Sequence, residues 1–157
     1  MRDANKIKGS SEFGAIINEI KIKLPSYSVN ESAARAIVGA FCAQLDPAAS
    51  ELADIKCAVS EAVTNCIVHA YKDTVGIIYI TVRLYEGRLV RVEIRDKGRG
   101  IADVKLARQP LYTTDAENER SGMGFTVMES FCDKVRVNSR CKKGTTVTLY
   151  KLLKSRV

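Results

Sequence analysis

The chain has 157 residues, of which 46% are apolar and 27% charged, with five cysteines, one histidine and a formal net charge of +7. That length suits one domain able to bury its own core without disulfides or metals. No apolar run approaches the ~18–20 residues that span a bilayer, and the composition excludes a disordered tail or a collagen-like fibre.

Residues 1–15 show no period and are left unassigned; 16–157 read as a single domain. Met1 to Ser11 contains Arg2, Lys6 and Lys8 but no apolar stretch, so it is not a secretory signal. The run Gly9-Ser10-Ser11-Glu12-Phe13 reads as an appended segment and is set aside. Ile20, Ile22 and Leu24 alternate with Lys21 and Lys23, which predicts a half-buried strand over 16–24 stopped by Pro25. Asn30 is the expected cap of a helix running to about Leu45. A second helix is expected from Ala48 to Tyr71, because Leu52, Ile55, Val59, Ala62, Val63, Cys66, Ile67 and Ala70 recur at steps of three and four.

Alternation over Val75–Tyr85 and again over Leu89–Asp96, joined by Glu86-Gly87-Arg88, predicts a hairpin. Residues 97–121 are rich in Gly, Arg and Thr and read as a long functional loop. A short helix over Gly124–Cys132 and a hairpin around Lys142-Lys143-Gly144 complete the chain. Clustered strands with intervening helices predict an α+β fold: a two-layer α/β sandwich, its mixed, mostly antiparallel sheet covered on one face by helices.

The charge is uneven. Cys132 to Val157 holds eight basic residues and one acidic residue, whereas the first 131 residues hold 17 of each. This stretch is either a solvated edge hairpin or a contact for nucleic acid or an acidic protein. An odd cysteine count without a C-x-x-C pair argues against a disulfide framework or zinc site and fits a reducing cytosol. Cys57 and Cys66 read as small buried apolar residues. His69 as the sole histidine excludes a multi-histidine metal site.

Three motifs carry chemistry. Glu61, Asn65 and His69 are spaced by four on the second helix. They are either its solvated back or an acid-base and oxygen-ligand line, with Asn65 suited to a hard cation such as Mg²⁺ and Glu61 to taking a proton. Asp96-Lys97-Gly98-Arg99-Gly100-Ile101 follows a strand. It is either a plain Asp-Gly turn or a carboxylate placed to accept from an exocyclic amine, with glycines allowing close backbone approach. Arg120-Ser121-Gly122-Met123-Gly124-Phe125 precedes a helix and is either a hinge or an anion cradle.

In that order, with Gly144-Thr145-Thr146 last, these motifs resemble the GHKL ATPase superfamily (gyrase, Hsp90, histidine kinase, MutL) over about residues 16–153. Val29-Asn30-Glu31-Ser32, Ser60 to Asn65, Ala107-Arg108-Gln109-Pro110-Leu111 and Glu119 to Phe125 are similar to the anti-sigma F factor family of spore-forming bacteria. The resemblance implies a Bergerat-type ATP-binding fold and a cytoplasmic, homodimeric, ATP- and Mg²⁺-dependent protein serine kinase. Such a kinase sequesters a sporulation sigma factor and phosphorylates a serine on an anti-anti-sigma protein, with no direct nucleic-acid or membrane role. The alternative is a nucleotide-gated sigma-binding module without phosphotransfer.

By the same resemblance, Glu61 is the catalytic base and Asn65 the Mg²⁺ ligand. Asp96 reads adenine, Gly98, Gly100 and Ile101 shape the base pocket, and Thr145 supports Asp96 and the base through a water. Thr113, Thr114 and Ser121 lie inside a lid, Gly122, Met123, Gly124 and Phe125 contact the phosphates, and Arg120 faces the γ-phosphate. Arg35 touches the protein partners.

Overall fold

The structure, a computed structural model, describes residues 13–110 and 124–154. Five strands form one antiparallel sheet in the order β1-β2-β3-β5-β4, comprising β1 (Ile16–Pro25), β2 (Ile77–Tyr85), β3 (Leu89–Arg95), β4 (Lys134–Arg140) and β5 (Gly144–Leu152). Helices α1 (Asn30–Cys42), α2 (Ala49–Asn65) and α4 (Gly124–Phe131) supply the second layer, and a single turn, α3 (Val104–Ala107), interrupts the long loop. Among the described residues no helix is long and apolar enough to cross a membrane.

The period-2 pattern decides which face of the sheet is buried. Ile78, Ile80, Val82 and Leu84 of β2 are fully buried, as are Val90, Val92 and Ile94 of β3 to within 1%. They pack on the stripe of α2, where Ile55, Val59, Ala62 and Val63 are likewise closed off from water. Each such side chain contributes about 1.5–3 kcal/mol by leaving water, so this interface fixes the sheet-to-helix arrangement.

Four local expectations need correction. Asn30 is the first residue of α1 rather than its cap; Val29 holds the cap position without a side-chain bond, and the Asn30 amide donates to the Pro25 carbonyl at 2.9 Å. The second helix is α-helical only to Asn65. Cys66–Ala70 then forms a wider π turn, closed by the Tyr71 N–H donating to the Cys66 carbonyl at 3.0 Å. Cys57 is exposed, whereas Cys66 is buried; two positions from both Ile55 and Val59, Cys57 points away from the stripe. The loop after β3 contains α3 because Asp103 caps it, its Oδ1 accepting from the Leu106 N–H at 3.0 Å.

The chain end is tied to the start of α2. The buried carboxylate of Glu51 accepts from the Lys154 N–H at 3.0 Å and from the Ala48 N–H at 3.3 Å. The Lys154 bond is the main cause holding the Glu51 carboxyl below its ordinary range, against the opposing effect of burial. A depressed carboxylate stabilises the fold above its unfolded pKa, and that gain disappears as pH falls through the folded value. Glu51→Gln should therefore cost about 1–2 kcal/mol at neutral pH. Urea midpoints of the two proteins should converge in acid; a gap that stays constant with pH would show that the charge contributes nothing.

Candidate functional site

A cavity of about 620 Å³ opens between α2, the loop after β3, α3, α4 and the start of β5. Its size suits a nucleotide-sized ligand. Asn65, Asp96, Gly100, Ile101, Gly124, Phe125 and Thr145 all line it, joined by His69, Cys66 and Leu106. Residues distant in sequence meet here because β3 and β5 are neighbours in the sheet while α2 and α4 pack together above them.

Asp96 stands one residue beyond β3, buried to 4% exposure. Its Oδ1 accepts from the Gly98 N–H at 2.9 Å and from the Thr145 N–H at 3.2 Å. Its Oδ2 accepts from the Cys66 thiol at 3.6 Å. Burial raises the Asp96 carboxyl above its usual range, with these three bonds opposing that shift. Burial, and then the nearby Asp96 charge, push the Cys66 thiol well up, so it stays a neutral donor. The link from Thr145 to Asp96 thus runs through the main chain, and it is reciprocal, since the Asp96 N–H donates to the Thr145 carbonyl at 2.9 Å. The Thr145 hydroxyl instead bonds Ser139 Oγ at 2.7 Å, and Ser139 Oγ accepts from the Ile101 N–H at 2.7 Å.

The two glycines after Asp96 are required by the protein's own backbone. A Cβ on Gly98 would sit 2.4 Å from the Ala70 carbonyl oxygen, which also accepts from the Arg99 N–H at 3.2 Å. Gly100 has φ +75°, and a Cβ there would sit 2.1 Å from the Arg140 carbonyl oxygen. Gly98 therefore shapes the cavity from behind, seating the loop on the π turn, whereas Gly100 reaches the wall itself.

Glu61 and Asn65, one turn apart on α2, both point at the first residue of α4. A Cβ on Gly124 would lie 3.4 Å from Glu61 Oε2 and 3.4 Å from Asn65 Oδ1. Asn65 lines the large cavity, whereas Glu61 lines an adjoining pocket of about 440 Å³ with Arg35, Ser60 and Val127. Arg35 Nη1 is held there by Glu31 at 3.2 Å and Ser60 Oγ at 3.4 Å. Thr113, Thr114, Arg120, Ser121, Gly122 and Met123 lie outside the described residues.

Alanine at position 124 just fits beside the two side chains, but the methyls of valine do not. Gly124→Val should weaken nucleotide binding about 5- to 150-fold, the equivalent of the ~1–3 kcal/mol of overpacking, while Gly124→Ala stays within about threefold. Calorimetric titration with ATP checks this; equal affinities for glycine and valine would remove α4 from the site.

Sequence reasoning missed four contributors. Cys66 was read as apolar filler, although its position one residue after Asn65 on the site-bearing helix was a signal. Ser139 carried none, since it reaches the loop only through sheet pairing. The Tyr71 hydroxyl, which accepts from the Lys97 N–H at 2.6 Å and donates to the Ile77 carbonyl at 2.8 Å, depends on the same long-range packing. Leu106 enters through α3, which the Asp103 cap signalled.

Residues 25–151 match the model of the histidine kinase-like ATPase domain. The chain is 52% identical over 136 residues to the anti-sigma F factor of Caldanaerobacter subterraneus subsp. tengcongensis, covering 87% of this chain and 94% of that one. It is 54% identical over 137 residues to the anti-sigma F factor of Anoxybacillus flavithermus, covering 87% and 93%. Among solved structures, the RsbU and RsbW domains of a Mycobacterium tuberculosis protein share the fold at a TM-score of 0.67 and 23% identity, over 89% of this chain and 34% of that one. The histidine kinase domain of an Erythrobacter litoralis blue-light-activated kinase does so at 0.52 and 20%, over 94% and 67%. With 52–54% identity to the two anti-sigma F factors over 93–94% of their length, the chain belongs to the anti-sigma F factor family and carries a histidine kinase-like ATPase domain.

Proposed function

We propose that this protein is an ATP-dependent protein serine kinase that is also an anti-sigma factor: it sequesters a sporulation sigma factor and phosphorylates a serine of an anti-anti-sigma protein, as a cytoplasmic homodimer. One observation carries the kinase half. Glu61 stands beside Gly124 at the boundary between the large cavity and the pocket containing Arg35, so a base sits where a nucleotide and a second substrate would meet. A protein that only bound nucleotide would need no carboxylate there.

The large cavity takes ATP, with Asp96 directed at the adenine amino group and Gly124 and Phe125 toward the phosphates. Asn65 suits Mg²⁺. Asn65 would offer such an ion one neutral amide oxygen, with phosphates and water supplying the rest of its shell. When bound, Mg²⁺ neutralises phosphate charge. The chain's own groups do the rest. Glu61 takes the proton of the acceptor serine hydroxyl as its oxygen bonds to the γ-phosphorus, and the bond to the β-bridging oxygen breaks with its electron pair leaving on ADP.

The experiment is phosphotransfer from γ-labelled ATP to a candidate anti-anti-sigma protein, with sigma-factor binding measured in parallel. Label on an acceptor serine establishes the kinase. Tight ATP and sigma binding with no label on any acceptor overturns the kinase half and leaves a nucleotide-gated sequestering module.

A further inference from the structure

Around Asp96 the protein's own protons are engaged within the protein. The Gly98 and Thr145 N–H groups fill both lone pairs of Asp96 Oδ1, and the Cys66 thiol takes one of the two on Oδ2. One Oδ2 lone pair is left, on a carboxylate that lines the large cavity. Thr145 lines the same wall beside it. Whether the Thr145 hydroxyl offers a proton or a lone pair there decides what the wall can read.

Ser139 makes that decision. It pairs with Thr145 across β4 and β5 and is half-buried, standing behind the wall rather than in it. Its Oγ accepts from the Ile101 N–H at 2.7 Å, lies 2.7 Å from Thr145 Oγ1, and donates to the Gly144 carbonyl at 3.1 Å. A serine hydroxyl has one proton and two acceptor lone pairs. The Gly144 carbonyl has no proton to give, so Ser139 must supply the one in that bond. The Thr145 contact then needs the Thr145 proton, and all three bonds coexist in this arrangement alone. The Thr145 proton is thereby turned toward β4, leaving lone pairs for the cavity. Holding the loop does not depend on the serine. The Lys142 N–H donates to the Arg99 carbonyl at 2.6 Å, and Gly100 lies against the Arg140 carbonyl.

We propose that Ser139 is a positioning residue that sets the base preference of the cavity: by taking the Thr145 proton it makes the Asp96–Thr145 wall all acceptor, which admits a 6-amino purine and rejects a 6-oxo purine. This rests on the reading of the cavity as an ATP site and names the residue behind its selectivity. An amino group brings protons to such a wall, whereas a ring carbonyl brings lone pairs against lone pairs. An unmade bond in a buried site costs more than a made one gains, so the selectivity comes mainly from rejection. Without the serine hydroxyl, Thr145 is free to rotate and donate, and the wall accommodates either base.

The test compares affinities for ATP and inosine triphosphate (ITP), which carries an oxygen in place of the amino group, by calorimetric titration. In Ser139→Ala the ATP-to-ITP affinity ratio should fall about five- to tenfold, the size of one neutral hydrogen bond. Ser139→Thr, which keeps the hydroxyl and suits a strand, should hold the ratio within about twofold. Thr145→Val removes the hydroxyl and keeps the shape, so adding Ser139→Ala to it should move the ratio less than about twofold. Should Ser139→Ala not fold, Ser139→Cys takes its place, because a thiol accepts too weakly to hold the Thr145 proton. Equal weakening of both nucleotides in Ser139→Ala would leave the serine a structural prop and overturn the proposal. So would an equal shift of the ratio with and without the Thr145 hydroxyl. Folded wild-type protein that binds neither nucleotide would overturn the ATP reading and this proposal with it, whereas an unmoved ratio beside tight ATP binding overturns this proposal alone.

Discussion

Glu61→Gln is expected to lower phosphotransfer by about 10²–10⁴-fold, the usual contribution of a positioned general base, while leaving ATP affinity within about threefold. The amide keeps the shape of the side chain and loses only its ability to take a proton. The expectation of intact binding comes from the geometry: Glu61 lines the smaller pocket, whereas Asn65, one turn further on, lines the large cavity. Asn65→Ala should do the reverse and weaken Mg²⁺-dependent ATP binding itself. Single-turnover transfer and calorimetric titration of both variants separate the roles. Equal loss of ATP affinity in the two would mean that Glu61 and Asn65 act together on the phosphates and that the base lies elsewhere.

Asp96→Asn should change which base the cavity prefers. Asn Oδ1 can still accept from the Gly98 and Thr145 N–H groups, as Asp96 Oδ1 does. The other position, which accepts from the Cys66 thiol in the wild type, becomes an NH₂ donor; it gives up that long, weak bond and is opposed to the donating amino group of adenine but matched to the acceptor oxygen of guanine. Leaving two donors face to face costs about 2–3 kcal/mol, so ATP binding should weaken by roughly 30- to 150-fold and the ATP-to-GTP ratio should collapse. Stability should move the other way. Because burial raises the Asp96 carboxyl, its ionised form destabilises the empty protein above the folded pKa, and the penalty vanishes below the unfolded one. Asp96→Asn should therefore melt at or above the wild-type temperature at neutral pH. Competition of ATP and GTP for the cavity, with thermal melts, provides both readouts; an unchanged nucleotide ratio would show that Asp96 serves only the loop.

The sheet was legible because two-residue alternation leaves a direct trace: every aliphatic position of Ile78–Leu84 and Val90–Ile94 is buried. The positions lining the cavity were legible as motifs, since glycine and carboxylate spacing survives without knowledge of packing. What the local pattern did not reveal was the reason for the spacing. Gly98 looked like room for a ligand and is room for the Ala70 carbonyl, a contact set by the meeting of two distant segments. The exposure of Cys57 was available from helical phase alone. The basic C-terminus looked like a property of one stretch; only strand register shows that it shares a face with Lys23 and Arg95. Lys151, counted with that charge, instead bonds Asp54 at 3.0 Å and the Phe131 carbonyl at 2.7 Å, fastening β5 to the helical layer.

The π turn after Asn65 also constrains how this family can vary in length. Deleting one residue between Cys66 and Ala70 would restore a regular helix, but everything beyond would rotate by about 100° and retreat by about 1.5 Å. The Ala70 carbonyl would leave Gly98 and Arg99, and the strand-end loop would lose its seat. An insertion would swing it equally far the other way. Surface loops of this fold can gain and lose residues through descent, whereas this five-residue turn should hold its length as strictly as the glycines opposite hold their identity.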